Sequence, residues 1–599
     1  MMLCAPACNF LDPLPDGSYT EENYTDYPSL IRGFVDVCYS LLPSTYYTTE
    51  YIGFDASTDD FIFNGTTSEM YKFSTGNAQP GSYSTMTNAW GRDYYCIYNL
   101  NRFLKDDLGK TTRYLIDDTN NASLQKCLQG DAYALRAWFM FDLVKAFGGK
   151  AADGELLGVP IFTEPIDIET ADIEGVRRAT FDECMEQIVR DCDSALVYLP
   201  LANRDFLVDV SGNTVLGARR YRAFDQIAVK ALLARAYLMW ASPAYNPDGD
   251  NSRWGKAALY AKEVIDHKIN VEGIDVTYSS GKTEDAGFDR TAKVSWSDPN
   301  DPEIIWLSNF ATSTSFETHF YPQGFNGDAA TAPSQDFVDA FPDAKGYPIT
   351  HPSSVYDPKH PYLNRDPRFY ANVFYNGSEV WRGNDTTSDL MYTFNTAEGG
   401  ADAPGLVSTS LTGYYARKYV YSYWNAYDRT VYKAVHWISY LRWTHMCLAF
   451  AEAANHYCGP EDSSTFGVSA RDVLSWVRAR QTTLGDPGVG SEGDPYLDEC
   501  AASGRTAFDT LVKNEWRIET FIEGFRFWDL RRWCDDSSWE SALNVDVHGV
   551  KITASESDTT YTRTLVQTKK FNSHWMPLPY SEVRKSSGLV QNAGWENWK

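Results

Sequence analysis

Twenty residues near the C-terminus, 514-NEWRIETFIEGFRFWDLRRW-533, constrain the architecture most strongly. Glu515 and Glu519 stand one turn apart on the same face of a helix. Arg517, Arg526, Arg531 and Arg532 follow in the same stretch. Acids and guanidinium groups this close in sequence predict a hydrogen-bonded ionic network that locks the last helix. Paired carboxylates can also do acid–base chemistry. Buried paired charges more often fix geometry than carry chemistry, so the structural reading is preferred.

The whole chain has 599 residues, 43% hydrophobic and 22% charged, a globular composition with room for a large core. Lys and Arg number 53 against 80 Asp and Glu, a net charge of −27. This balance argues against a partner bound through phosphates and equally disfavours an anionic lipid surface. Aromatic residues reach 15%, with 18 Trp, 39 Tyr and 31 Phe. That is more than a core needs, and predicts surface rings that bind sugars, peptides or proteins. No apolar run attains the ~20 residues that span a bilayer. The strongest candidate, 231-ALLARAYLMW-240, carries an Arg. Small residues precede Cys8, as at the end of a signal peptide. Cys8 is then either a lipidated first mature residue or a stray cysteine near an ordinary start. The 11 cysteines form no CxxC. Cys184 and Cys192 lie about 12 Å apart along one expected helix, too far to bond. The cysteines read as scattered small core residues.

Helical periodicity dominates the first two-fifths. Ile31, Phe34, Cys38 and Leu41 line one face; Trp90, Tyr94, Ile97, Asn101 and Leu104 another; Ala132, Leu135, Phe139, Leu143 and Ala146 a third, ended by Gly148-Gly149. Thr180 caps a helix over 181–198, with Asp182 and Glu183 at its positive end. Ile227, Ala231, Ala234 and Leu238 form a stripe narrow enough for a close neighbour. Paired amphipathic helices suggest hairpins of the tetratricopeptide type, or else a plain helical domain. From 267 to about 430, Gly, Pro, Asn, Asp and Thr break up short apolar pieces. This predicts loops and short strands, where binding residues concentrate. Helices return at 435–457, 469–484 and 505–521, and the tail is turn-rich. The expected organisation is one compact unit: a tether over 1–19, a helical-hairpin scaffold over 20–266, a loop-rich insert over 267–434, and C-terminal helices over 435–599.

Catalytic motifs are missing or false. Gly488, Gly490 and Gly493 spell GxGxxG inside the loop 485-GDPGVGSEGDP-495, with no strand before it. The fragment 281-GKT-283 lacks the first phosphate-loop Gly, because position 276 is Val276. His456 and Cys458 have no second ligand pair at metal spacing. Acidic loops such as 55-DASTDD-60 could hold Ca²⁺ but match no defined calcium loop, so no cofactor is expected.

The 514–533 stretch resembles the signature of the SusD/RagB family through Glu515, Arg517, Glu519, Glu523, Gly524, Arg526, Asp529, Leu530, Arg532 and Trp533. Further segments resemble other family blocks, in the same order. They are Trp90, Tyr94, Ile97 and Asn101; 135-LRAWFMFDLVKAFGG-149 with 158-GVPIFTEPID-167; 440-YLRWTHMCLAFAEAAN-455; 576-MPLPYSEVRKSSGLVQNAGW-595; and the lipoprotein-like start Cys8-Asn9-Phe10-Leu11-Asp12. His445 stands where the family usually has Glu, which puts one ion pair in doubt, and Ala593 replaces a Pro.

The resemblance implies a mainly α, SusD-like fold with tetratricopeptide-like hairpins and a loop-rich insert. It also implies a non-enzymatic protein, lipid-anchored at Cys8 on the outer membrane surface of Bacteroidota. Such a protein captures oligo- or polysaccharide and delivers it to a TonB-dependent SusC-like transporter, with no nucleic-acid partner. The alternatives are a peptide-capturing lid of the same fold and a secreted glycoside hydrolase. Family ligand residues come from regions matching 44–90 and 270–425. The candidate rings there are Tyr83, Trp296, Phe320, Tyr321 and Trp381, and the polar candidates are Asp55, Asp59, Asn326 and Arg382. Trp306 and Trp90 are assigned to the core.

Overall fold

The computed structural model describes residues 27–43, 48–79, 84–166, 172–203, 220, 222–274, 276, 301–381, 391–420, 434–479, 494–554 and 558–598. The fold is mainly α. Helices α1 (Pro28–Ser40), α2 (Thr48–Asp55), α3 (Ser84–Leu104), α4 (Asp118–Phe147), α5 (Phe181–Tyr198), α6 (Gln226–Ala241) and α7 (Asn251–Asn270) make up the first half. From α3 onward each long helix packs on the next, and α1 lies against α3 and α4. After the insert, α8 (Trp443–Cys458) packs on α7 and extends the same layer through α9 (Ala470–Arg478) and α10 (Arg505–Glu519). A shorter α11 (Arg526–Arg532) follows.

Local chemistry explains the helix limits. Asp117 caps α4 by accepting the Asn120 N–H at 2.8 Å, and Gly148 ends it. Thr180 forms the expected cap of α5: its hydroxyl accepts the Glu183 N–H, and the Glu183 carboxylate accepts the Thr180 N–H. Ala231 and Ala234 on α6 are fully buried, and small side chains here allow α6 to lie close to α5 and α7. All nine described cysteines are free, and eight are buried, as their scattered spacing implied.

The insert is built from short pieces, as expected. Strands β1 (Phe61–Phe63), β2 (Ile304–Leu307), β3 (Ala311–Ser313), β4 (Thr331–Pro333), β5 (Ala434–His436) and β6 (Ser439–Arg442) pair only in twos: β1 with β4, β2 with β6 and β3 with β5. The region expected to be helical from 435 therefore starts as strand. A hairpin of β7 (Asp546–Ala554) and β8 (Thr559–Thr568) was not anticipated at all. Only its inner strand buries Val547, Val550 and Ile552, so half the hairpin carries little apolar signal.

Two cores result. The helical one mixes Ala, Leu and Val with rings such as Trp138, Phe139 and Phe224, and Trp306 of β2 is driven into it. The Trp306 ring meets Trp138 at 4.8 Å, Phe224 at 4.1 Å and Tyr440 at 4.6 Å, and its indole N–H donates to the Arg222 carbonyl at 2.8 Å. The insert's core is more than half rings, among them Phe316, Phe320, Tyr321, Phe325, Phe337, Phe369, Phe374, Phe394, Tyr414 and Tyr415. This overturns the expectation that the aromatic excess lies on the surface. The exposed aromatic side chains among the described residues are Tyr27, Tyr95, Phe310 and Tyr457, with no tryptophan. Short segments lack a repeating apolar face, so a few large rings per segment must supply the burial.

The ionic network exists, but with different partners. Arg517 lies two residues from both Glu515 and Glu519 and points away from their face. Arg368 of the insert instead binds Glu515 and Glu519 at 2.8 Å each and Asp366 at 2.7 Å, while Arg478 of α9 also pairs with Glu515. Arg442 pairs with Glu303 at 2.8 Å and Glu523 at 2.9 Å, and Lys418 reaches Glu523 at 2.6 Å. His445, at the position where an acid was expected, bonds Glu523 at 2.7 Å. Arg532 binds Glu452 at 2.6 Å. The network thus joins the insert to the C-terminal helices, where a local lock of one helix had been expected.

Arg368→Met would leave three buried acids without their shared cation. It should cost about 3–5 kcal/mol, read as a lower urea midpoint, and an unchanged midpoint would refute the network's role. Burial pushes His445 and His574 down to about 4. An unfolded chain protonates both below about 6.5, whereas the folded chain resists until about pH 4. Their contribution to stability is fully present above pH 6.5 and is lost as pH falls from 6.5 toward 4. Urea midpoints at pH 7 and 4.5 should differ less in His445→Gln than in the parent protein.

Candidate functional site

The expected ligand residues do not form one site. Phe320 is fully buried against Phe61 and Phe316, and Tyr321 is stacked on Phe325 at 4.6 Å. Neither ring can offer a face to a sugar, so both are corrected to core. Asp55 is buried and accepts the Gly524 N–H at 2.9 Å; burial pushes its carboxyl up to about 8. Asp59 is held by Arg526 at 2.8 Å and Arg517 at 3.2 Å, and Asp60 by Arg517. These acids anchor the loop after α2 to the C-terminal signature, and both Asp55 and Asp59 are corrected to structural roles. Lys569 lies in the same junction. Its ammonium donates to the Ala56 carbonyl at 2.7 Å, and burial lowers it to about 7.

Asn326 is partly exposed, with φ +55°, at the end of a short turn. Trp381 lies on a strand whose backbone pairs with Met391; its side chain is outside the described residues. Tyr83, Trp296, Arg382 and Cys8 are outside them too. Trp306 and Trp90 are buried, as assigned. Among the described residues no group of acids, histidines and cysteines could hold a metal ion, and no helix is long and apolar enough to cross a membrane.

An open cleft of about 610 Å³ lies where the insert meets the helical scaffold. One wall is α1, with Arg32, Asp36 and Tyr39; the opposite wall is the loop 112–117 and the start of α4. Leu307, Ser308 and Asn309, at the end of β2, close the third side. Sequence reasoning missed this cleft because its residues share no spacing: Tyr39, Tyr114, Arg222 and Asn309 meet only in the folded chain.

The base of the cleft is rigid. The Tyr39 hydroxyl donates to Asp131 at 2.8 Å and accepts the Phe224 N–H at 2.9 Å. Burial, with the Asp131 charge, raises the Tyr39 phenol far above its ordinary range. Arg220 grips both Asp131 oxygens, at 2.6 and 2.7 Å. With both oxygens engaged, Asp131 is committed to structure. Asn121 fixes the loop by accepting the Tyr114 and Leu115 N–H groups at 2.7 and 3.0 Å. Beside the cleft, the Arg222 guanidinium stacks 3.6 Å over the Phe310 ring, which is 37% exposed. The cleft therefore offers cations, carboxylates and amides above an apolar floor that includes Leu124 and Leu128.

Comparisons with known proteins agree with this architecture. The family model described as "SusD family" matches residues 277–595, and the one described as "Starch-binding associating with outer membrane" matches residues 9–238. Among solved structures, the chain is similar to a SusD-like protein from Bacteroides fragilis NCTC 9343, with TM-score 0.70 and 22% identity over 96% of this chain and 98% of that one. It is also similar to a SusD-like carbohydrate binding protein from the same strain, with TM-score 0.67 and 16% identity over 94% and 99%. A third likeness is to surface glycan-binding protein A from Bacteroides fluxus, with TM-score 0.56 and 17% identity over 94% and 99%. No curated protein matches. At these identities the structural likenesses speak for the fold. The family is shown by the first model, which spans more than half the chain and includes the 514–533 signature: this protein belongs to the SusD family.

Proposed function

We propose that this protein is a non-catalytic, lipid-anchored surface protein that captures oligo- or polysaccharide and passes it to a TonB-dependent SusC-like transporter. The observation that carries the reading is the family match at both ends of the chain, which frames a fold shared over nearly its whole length. The names of the B. fragilis and B. fluxus neighbours, a carbohydrate binding protein and a surface glycan-binding protein, support a glycan as cargo. The anchor is the Cys8 expectation, and the transporter is the partner the family resemblance implies.

The junction cleft is the proposed place of capture. Sugar hydroxyls need donors and acceptors held in place, and the cleft supplies both on a base that Tyr39, Asp131 and Arg220 keep rigid. Pyranose C–H faces pack on partly exposed rings such as Phe310, which also meets the Arg222 cation and the Trp437 ring. Among the described residues only four aromatic side chains, Tyr27, Tyr95, Phe310 and Tyr457, are exposed, so affinity should be micromolar or weaker, since lost ligand freedom offsets much of the contact energy.

Affinity gel electrophoresis against starch, mucin, hemicellulose and fructan tests the reading, with Arg222→Ala and Trp381→Ala beside the parent protein. One polymer should retard the parent, and Arg222→Ala should weaken that retardation by about 10-fold, within the range of a lost charge-assisted hydrogen bond. Retardation that survives Arg222→Ala but disappears in Trp381→Ala would move the site into the insert. No retardation by any polymer would favour the peptide-capturing alternative. Release of reducing sugar would overturn the non-catalytic assignment.

A further inference from the structure

A second open groove, of about 740 Å³, shares no lining residue with the junction cleft. It runs along α3, between residues 160–166 and 172–176 on one side and the tail around 582–589 on the other. Trp90, Tyr94 and Tyr98 line it at successive turns of the helix. Phe162 faces Tyr94 edge-on at 5.6 Å. Tyr95 is 51% exposed and Ile173 is 47% exposed, an unusual cost for large apolar groups at the edges of a groove.

The groove is held open. The Tyr94 hydroxyl donates to the Pro160 carbonyl at 2.9 Å. Asn101 donates to the Phe162 and Glu164 carbonyls at 3.0 and 3.1 Å and accepts from Arg136 at 2.8 Å. Ser586 bonds the Glu174 and Val176 carbonyls at 2.9 and 2.6 Å. The polar atoms of Tyr94 and Asn101 are thus committed to the wall, which leaves a floor of rings. That suits an apolar ligand better than a polyhydroxylated one, which would lose hydrogen bonds to water without replacement. At the rim stand Glu164, Asp172, Glu582 and Lys585, and Lys585 already pairs with Glu582 at 2.8 Å. The rim is net acidic.

Spacing selects the form of the occupant. Rings four residues apart on a helix repeat about every 6 Å. In an extended peptide, side chains on one face repeat about every 6.6 Å. We propose that this groove docks an extended segment of a partner protein, with apolar side chains at alternate positions and a Lys or Arg at its ends to meet Glu164 and Asp172. The reading does not rest on glycan capture: the groove would serve a protein contact whatever the cargo.

Fluorescence anisotropy with the full chain tests the proposal, using a fluorescein-labelled peptide, KVSVTVSVR, and its acidic-ended counterpart, EVSVTVSVE. The basic peptide should bind saturably below about 1 mM, at least ~10-fold tighter than the acidic one, and more weakly as salt rises. The double substitution Tyr95→Ser with Ile173→Ser changes two exposed side chains, and thermal melting would show that it folds. It should weaken basic-peptide binding by at least ~10-fold. Three results would overturn the proposal. They are the absence of saturable binding, equal binding by the double variant, and loss of polysaccharide retardation in that variant without any peptide binding, which would make the groove a sugar site.

Discussion

The fold depends on a set of buried charges where α10 gives way to α11. Glu515, Glu519 and Glu523 extend from the end of α10 into the bend before α11, and their cations arrive from Arg368, Lys418, Arg442 and Arg478. Burying such groups is expensive, and only near-complete pairing offsets the lost hydration. That condition is hard to meet in any other arrangement of the chain. Arg368 must come from the insert, Arg442 from the end of β6 and Arg478 from α9 before the acids are satisfied. The network therefore rewards one relative placement of these segments. His445 fits the same logic: as a neutral ring beside Glu523 it donates a hydrogen bond where another acid would have added a like charge.

The two cores are packed by different means because their chain segments differ. Long helices approach closely where small side chains such as Ala231 and Ala234 lie between them, and rings such as Trp138 and Phe139 fill the remaining space. The described residues of the insert form short strands and helices of at most six residues, and rings supply more than half of the side chains in their core. This has a consequence for recognition. Rings that composition would assign to ligand binding, Phe320 and Tyr321 among them, hold the insert together. Among the described residues, the exposed rings include Phe310 beside a polar cleft and Tyr95 on the edge of an apolar groove.

Much of the scaffold was legible because its signals are local. The Thr180 capping box, the stop at Gly148 and the buried face of α6 each depend on neighbours within a few residues. The hairpin of β7 and β8 was missed because its outer strand faces solvent, so alternation there carries no apolar signal. The start of α8 was placed several residues early. Residues 439–442 are as apolar as a helix face, but they pair with β2, a segment more than a hundred residues away. The candidate cleft was not legible at all, since Tyr39, Tyr114, Arg222 and Asn309 are brought together by the packing of α1, α4 and β2.

The amino-acid sequence alone determined the class of the protein: helical hairpins from periodicity, an irregular insert from its turn residues, and the SusD family from the signature around Glu515 and Arg526. These are properties of short windows, in which side-chain type and spacing act directly. Tertiary structure alone decided which charge meets which, and which ring is free to meet a ligand. Arg517 sits beside Glu515 in the chain yet serves Asp59 and Asp60, because a helix turns neighbours two residues apart to opposite sides. Exposure and pairing belong to the packed whole, and no single window of sequence contains them.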